Sequence, residues 1–376
     1  MITRLQISNY RSLGPDVTLS LGRLSALVGP NGSGKSNTLD ALSFVRDAIV
    51  LGLPAAIARR GGLENVRRRC EGPALNIKLE LELVLSQGPA VYGFELDGDK
   101  RYRVKAEWAT IHGDGEVVTF ERDGMSWRGP EGTSPRVDEQ SLVLTSLGGD
   151  LRFKPLADFL AQLATYAISP TQLRHAQQFS ATTPMSPDGE NWLSSLRDVL
   201  ESSDKDELVN GLHKLTGTIE DVRVTVLPDH HLYAEFKQSM GATDSALWIP
   251  SAFQSDGTLR VACLFVALLR APHGSFIGIE EPELTVHPAA LPLLYDYLHQ
   301  ASSMSQVVIT THSPVLLDAF DVERDSVFVV ECVNGATIVG PLAEHELEPV
   351  RQRLLTLGEL MLVGGLEATP QPSDEG

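Results

Sequence analysis

Cysteine is scarce in this sequence: Cys70, Cys263 and Cys332 lie far apart and form no CxxC pair. That excludes a disulfide framework and a cysteine zinc site, and it suits a reducing compartment. No apolar stretch approaches the roughly 20 residues that a bilayer span needs. The longest, from 261 to 269, lies between Arg260 and Arg270. The opening Met1-Ile2-Thr3-Arg4-Leu5-Gln6 carries no apolar h-region, so no secretory signal is expected. Internal repeats and sustained heptads are missing too, which excludes a solenoid and a long coiled coil. Positive charge is short: 31 Lys and Arg face 49 Asp and Glu, a formal net charge of −18. Nucleic acid, if bound, would have to be met by a local patch. What remains is an ordinary globular composition, 42% hydrophobic and 21% charged, over 376 residues. That length suffices for one large or two ordinary domains. A cytoplasmic protein that makes no use of a membrane is expected.

The segment Gly29-Pro30-Asn31-Gly32-Ser33-Gly34-Lys35-Ser36 fits GxxxxGK[ST] in full. Leu24-Ser25-Ala26-Leu27-Val28 before it reads as a buried strand, and apolar residues recur at helical spacing from Asn37 to Val45. A loop between strand and helix turns backbone N–H groups around phosphate oxygens and aims a helix N-terminus at them. In that motif Lys35 reaches the β- and γ-phosphates and Ser36 holds Mg²⁺. A nucleoside triphosphate is the expected ligand.

Residues 2–28 read as two or three strands. Leu75-Asn76-Ile77-Lys78-Leu79-Glu80-Leu81-Glu82-Leu83 alternates strictly, as a half-exposed antiparallel strand does. Short strands follow around 92–96, 102–110 and 117–122, with Asp97-Gly98 and Asp123-Gly124 as turn signals. Residues 129–138 read as a loop, and 141–215 as mainly helical with breaks at Pro170 and at 182–189. Strands resume at 222–227 and 232–236. From 259 onward, helices alternate with apolar strands at 276–279, 306–310 and 326–330, the rhythm of a parallel sheet. The expected organisation is a split core, residues 1–70 and 245–345, around a β-rich and helical lobe at 71–244. A C-terminal helix and a disordered polar tail would occupy 346–376.

Three further stretches carry chemistry. Phe276-Ile277-Gly278-Ile279 delivers Glu280-Glu281-Pro282-Glu283 at its carboxyl end, where ligands gather in parallel sheets. The first acid suits Mg²⁺ and the second suits polarisation of a water. Val307-Val308-Ile309-Thr310-Thr311 presents His312, which can donate to a γ-phosphate. Ser255-Asp256-Gly257-Thr258-Leu259-Arg260 opens a helix. Taken alone it is an ordinary N-cap, and in this company it is an anion site. Arg59-Arg60-Gly61-Gly62 followed by Arg67-Arg68-Arg69 is either a solvated face or a DNA patch.

GPNGSGKS, SDGTLR, FIGIEEPELTVHP and ITTHSP in this order resemble an ABC-type ATPase head of the SMC/RecF class. The start Ile7-Ser8-Asn9-Tyr10-Arg11-Ser12-Leu13 and the Arg60-Gly61-Gly62 stretch are most similar to predicted ATPases related to the ATPase half of overcoming-lysogenization-defect (OLD) nucleases. The resemblance implies an α/β fold: a P-loop core of mixed parallel and antiparallel sheet, interrupted by the lobe. It implies ATP and Mg²⁺ as cofactors. Gly29, Asn31, Gly32, Ser33, Gly34, Lys35, Ser36 and Asn37 would cradle the phosphates. Ser36 and Glu280 would hold the metal, Glu281 would be the catalytic glutamate and His312 the switch histidine. Ser255 and Gly257 would cap the γ-phosphate bound by a second copy, so that ATP is sandwiched in a homodimer. Gln172, in Ser169-Pro170-Thr171-Gln172-Leu173-Arg174, is the candidate for the glutamine that places water and Mg²⁺. Arg60 is the candidate arginine near ATP or DNA. Nothing after residue 345 resembles the nuclease half of the OLD group. The ATP cycle is therefore expected to serve a separate partner, a nuclease or other effector in antiviral defence. A RecF-like repair mediator and a nucleotide-gated scaffold with slow hydrolysis are the alternatives.

Overall fold

Strict alternation over Ile77–Leu85 puts Ile77, Leu79, Leu81, Leu83 and Leu85 in the core and the residues between them towards solvent. In the computed structural model this strand belongs to a seven-stranded antiparallel sheet. The order is Val17–Ser20, Ile2–Ser8, Ile77–Leu85, Gly88–Asp97, Arg103–Gly113, Glu116–Asp123 and Ser126–Arg128. The structure describes all residues except 71–74, 99–100, 114, 182–184, 240–245 and 370–376. Most of the tail expected to be disordered, and part of the 182–189 loop, therefore lie outside the described residues.

Composition changes near residue 71, but the hydrogen-bond ladder continues across that point. Ile2–Ser8 pairs with Val17–Ser20 on one edge and with Ile77–Leu85 on the other, with Leu5 opposite both Leu19 and Leu81. The chain forms two compact units, Met1–Leu163 with Asp321–Gly376, and Ala164–Phe320.

In the first unit, helix Lys35–Val50 follows the fully buried strand Leu24–Val28. Its Phe44 lies 5.5 Å from Tyr10 and 6.3 Å from Phe94, ring centre to ring centre, which seats the helix on the antiparallel sheet. Strand Ser326–Val333 runs parallel to Leu24–Val28, with Val329 opposite Val28. It then turns back through Asn334-Gly335, both at positive φ, into the antiparallel strand Ala336–Pro341. Asn-Gly is the usual chemistry of that tight hairpin.

In the second unit, three parallel strands lie side by side: Gln306–Thr311, Phe276–Glu280 and Ala164–Tyr166. The last falls in the region read as helical; three residues are too few to show a period. Helices Trp192–Leu200, Lys205–Thr216 and Asp256–Leu269 pack together, beside an antiparallel sheet of Gln177–Gln178, His231–Ser239, Ile219–Val226 and Ala246–Pro250. Among the described residues the longest helix is the 16-residue Lys35–Val50, so no long coiled coil is present.

Candidate nucleotide site

The loop at 29–34 is shaped by two close approaches. A Cβ on Gly29, at φ 153°, would lie 2.1 Å from the carbonyl oxygen of Val330. One on Gly34, at φ 112°, would lie 2.2 Å from Thr337 Oγ1. Neither position accepts a side chain. Lys35 Nζ donates back to the carbonyls of Gly29 (2.9 Å) and Pro30 (3.0 Å). Ser36 and Asn31 are exposed, while Ser33 is buried and its Oγ has no hydrogen-bond partner among the described residues. The first turn of the Lys35–Val50 helix holds no acidic residue, so nothing there repels an anion at its positive end.

A polar strut fixes this loop from far away in sequence. Thr337 Oγ1 donates to the Ser33 carbonyl at 2.6 Å. Ser12 Oγ lies 2.7 Å from Thr337 Oγ1, and Asn37 Nδ2 donates to Ser12 Oγ at 2.6 Å. Neither Ser12 nor Thr337 stands out in the sequence, although the Asn334-Gly335 hairpin signal places Thr337 on a strand.

The next layer is a cluster of charge. Asp40 accepts from the Tyr10 hydroxyl and pairs with Arg11 (3.0 Å) and Arg60 (3.0 Å). Arg60 also reaches Asp47 at 3.0 Å and covers the Phe44 ring at 5.2 Å. Burial opposes the Arg60 charge, but Tyr10, Asp40 and Asp47 outweigh it and hold its pKa above the ordinary value. Burial, then Asp40, pushes the Tyr10 hydroxyl well above its usual range. The Arg60 side chain is 6% exposed and is taken up by these two carboxylates. Arg67 is buried as well; of the five arginines in the basic run, Arg59 and Arg69 are exposed.

The second unit gathers the acids and the histidine. Glu280 ends its strand opposite Thr310. Glu281 takes φ 45°, and its N–H donates to Thr310 at both the carbonyl (3.0 Å) and Oγ1 (3.2 Å). His312 Nε2 lies 3.2 Å from Glu281 Oε1. Glu283 Oε1 accepts from Thr311 Oγ1 (2.7 Å) and from the His312 N–H (2.9 Å).

Ser255 caps helix Asp256–Leu269, its Oγ accepting from the Thr258 N–H at 3.1 Å, and the residue is exposed. Gly257 is required there, since a Cβ would lie 2.5 Å from the Thr285 carbonyl oxygen. On the same helix Arg260 donates to the Glu281 carbonyl at 3.4 Å. Gln172 is exposed in the short helix Pro170–Leu173, which follows Ala164–Tyr166 at the edge where Glu280 emerges. Two residues on, Arg174 pairs with Asp256 and donates to the Ala252 carbonyl at 2.9 Å. It ties the Gln172 segment to the serine turn, and sequence reasoning missed it.

The donors fit the expected groups. A glycine cradle that rejects Cβ atoms, an orphaned buried hydroxyl and a helix start free of acids suit phosphate. A hydroxyl and a carboxylate, hard oxygen donors, suit Mg²⁺. Among the described residues no helix is long and apolar enough to cross a membrane.

Comparison with known proteins bears on the family and the fold. The family described as "AAA domain, putative AbiEii toxin, Type IV TA system" matches residues 24–318. An OLD nuclease of Thermus scotoductus is 26% identical over 350 residues, which are 85% of this chain and 60% of the relative. The chain therefore spans less than two thirds of that protein's length. Among solved structures, an SMC head bound to the C-terminal winged-helix domain of ScpA superposes with TM-score 0.57 at 16% identity, over 92% of this chain and 99% of that one. An SMC head with an extended coiled coil, bound to the C-terminal domain of ScpA from Pyrococcus furiosus, gives 0.57 at 14%, over 94% and 99%. The protein belongs to the AAA-domain family just described, with the fold of SMC heads and a similarity to OLD nuclease.

Proposed function

We propose that this protein binds and hydrolyses ATP with Mg²⁺, dimerises on it, and uses the cycle to gate a DNA-directed partner. The observation that carries hydrolysis is the Glu281–His312 pair, 3.2 Å apart at the carboxyl ends of adjacent parallel strands. The glycine loop, Lys35 and Ser36 hold the triphosphate. Ser36 and Glu280 hold the metal, with Gln172 as a further ligand; the ion, when bound, neutralises charge on the phosphate oxygens. Glu281 accepts a proton from the attacking water, whose oxygen bonds to the γ-phosphorus. The bond from that phosphorus to the β–γ bridging oxygen breaks, leaving ADP and phosphate. His312 donates to the γ-phosphate and keeps Glu281 aimed.

Dimerisation is supported by the exposure of Ser255 beside Phe253, which is 79% exposed. An unburied serine turn is available to cap the phosphate held by a second copy. A split core of 1–70 and 245–345 with an intervening lobe remains our reading of the functional parts. An effector supplied by another protein, a nuclease or other enzyme in antiviral defence, belongs to the same reading and is suggested by the similarity to an OLD nuclease. Cytoplasmic location is part of the same reading.

Glu281→Gln tests it. ATP affinity should hold while turnover falls about 10²- to 10⁴-fold, the usual worth of a general base. With ATP the variant should elute as a dimer on gel filtration; a monomer would count against the sandwich.

A further inference from the structure

We propose that Glu283, two residues beyond the proposed general base, is a positioning residue that holds the Glu281–His312 pair in register. The proposal rests on the hydrolytic reading above and adds a residue to it.

Glu283 is the third acid of Glu280-Glu281-Pro282-Glu283, and its place in the sequence suggests nothing more than an exposed turn. The structure gives it a different use. One oxygen, Oε1, receives both the Thr311 hydroxyl at 2.7 Å and the His312 N–H at 2.9 Å. The other, Oε2, is buried without a hydrogen-bond partner among the described residues. The carboxylate thus bridges the turn after one strand to the end of its neighbour, 29 residues on. Together with the two bonds from the Glu281 N–H to Thr310, four hydrogen bonds stitch 281–283 to 310–312.

These bonds flank the reacting pair on both sides. Glu281 sits at φ 45°, a backbone conformation that persists in a non-glycine residue only where the surroundings impose it. His312 has its backbone N–H anchored by Glu283 and its ring set against Glu281 Oε1. Remove the anchor, and the His312 N–H and Thr311 hydroxyl are left without their acceptor. The imidazole then loses its fixed approach to Glu281. A displacement of about 1 Å at a reacting centre costs on the order of 10²-fold in rate.

The asymmetry of the two oxygens makes the inference sharp. Because both bonds end on Oε1, an amide oxygen can replace it, with the amide nitrogen in the place of Oε2. Glu283→Gln should therefore retain turnover within about threefold, whereas Glu283→Ala should lose about 10- to 100-fold in kcat. ATP affinity should change less than about twofold in both, since Glu283 lies outside the glycine loop that binds phosphate. Thr311→Val removes one of the two donors and should give a smaller loss. Combined with Glu283→Ala it should add nothing, because both changes break one unit.

The experiment measures single-turnover ATP hydrolysis and fluorescent-ATP binding on the full chain, with thermal unfolding as a check on folding. The His312 ring resonances, observed by NMR on nucleotide-free protein, give a readout independent of turnover. They should move in Glu283→Ala and stay in place in Glu283→Gln. Turnover as low in Gln as in Ala would mean that the charge, not the acceptor geometry, matters, and would overturn the proposal. So would unchanged kcat in Glu283→Ala, or additive losses with Thr311→Val. A wild-type protein without hydrolysis would defeat the functional reading alone, because the ring resonances still test the positioning.

Discussion

Thr337→Val isolates the strut beneath the phosphate loop. Valine keeps the shape of threonine, so the close packing against Gly34 is preserved while the hydroxyl is lost. Ser12 Oγ retains its bond from Asn37 at 2.6 Å, but the Ser33 carbonyl loses the donor that served it at 2.6 Å. A buried acceptor left unmade costs about 1–3 kcal/mol. In a domain of 150–250 residues each kcal/mol is worth about 2–4 °C in Tm, so a drop of roughly 2–12 °C is expected. If the cost falls on the shape that receives phosphate, affinity weakens by about 5- to 140-fold, at tenfold for each 1.4 kcal/mol. Titration with a fluorescent ATP analogue beside thermal melts with and without ATP separates the two effects. Thr337→Ser restores the hydroxyl and should restore binding. A lowered Tm with unchanged affinity would refute the reasoning, because the strut would then support the fold and not the loop.

Arg60→Ala leaves Asp40 and Asp47 without their shared, nearly buried partner. Arg11 still pairs with Asp40, and Arg46 and Arg59 with Asp47, so the cost should fall below the roughly 3–5 kcal/mol of a buried charge left alone, to be seen in denaturant unfolding; full stability with lost ATP binding would make Arg60 a nucleotide contact instead. Glu107 is wholly buried, accepting from the Leu144 N–H at 2.9 Å and the Tyr92 hydroxyl at 3.1 Å, and burial pushes its pKa from 4.5 up to about 7. The folded chain holds that proton where the unfolded chain has released it, so this contribution to stability is complete below pH 4.5 and is lost as pH rises through 7. Glu107→Gln should flatten the fall in stability across that window by about 3 kcal/mol, at 1.36 kcal/mol per pKa unit; parallel pH curves would refute it. Ser255→Arg should abolish the ATP-dependent dimer in gel filtration while one-site ATP binding survives, and equal loss of both would show that the serine turn serves its own subunit.

What the sequence disclosed was whatever chemistry ties to local spacing. Gly29 to Ser36, Glu280-Glu281, His312 and the Ser255 cap each lie within a few residues of the strand or helix that presents them. Strict alternation at 75–83 was legible for the same reason, since a strand's faces follow from parity alone. The supports were not. Ser12, Asp40 and Thr337 are ordinary polar residues until strand pairing brings them to the loop or its helix. The parallel strand Ala164–Tyr166 is too short to declare a period, and its neighbours supplied its conformation. The arginine run misleads in the other direction: Arg60 and Arg67 look like surface charge and are buried. Pairing across the sheet likewise overrode the change of composition at 71, because the hydrogen bonds of Ile2–Ser8 are satisfied by a strand 75 residues later in the register Ile7 to Leu79 and Leu5 to Leu81.

The bond from Thr337 to Ser33 joins residues 304 positions apart. During synthesis at about 5–20 residues per second, the glycine loop would leave the ribosome roughly 15–60 s before the hairpin that braces it. A nascent chain therefore carries the glycine loop through the synthesis of 304 further residues without the brace beneath it. If phosphate binding needs that brace, a chain whose Ala336–Pro341 strand is not yet made should hold ATP more weakly than one that has it.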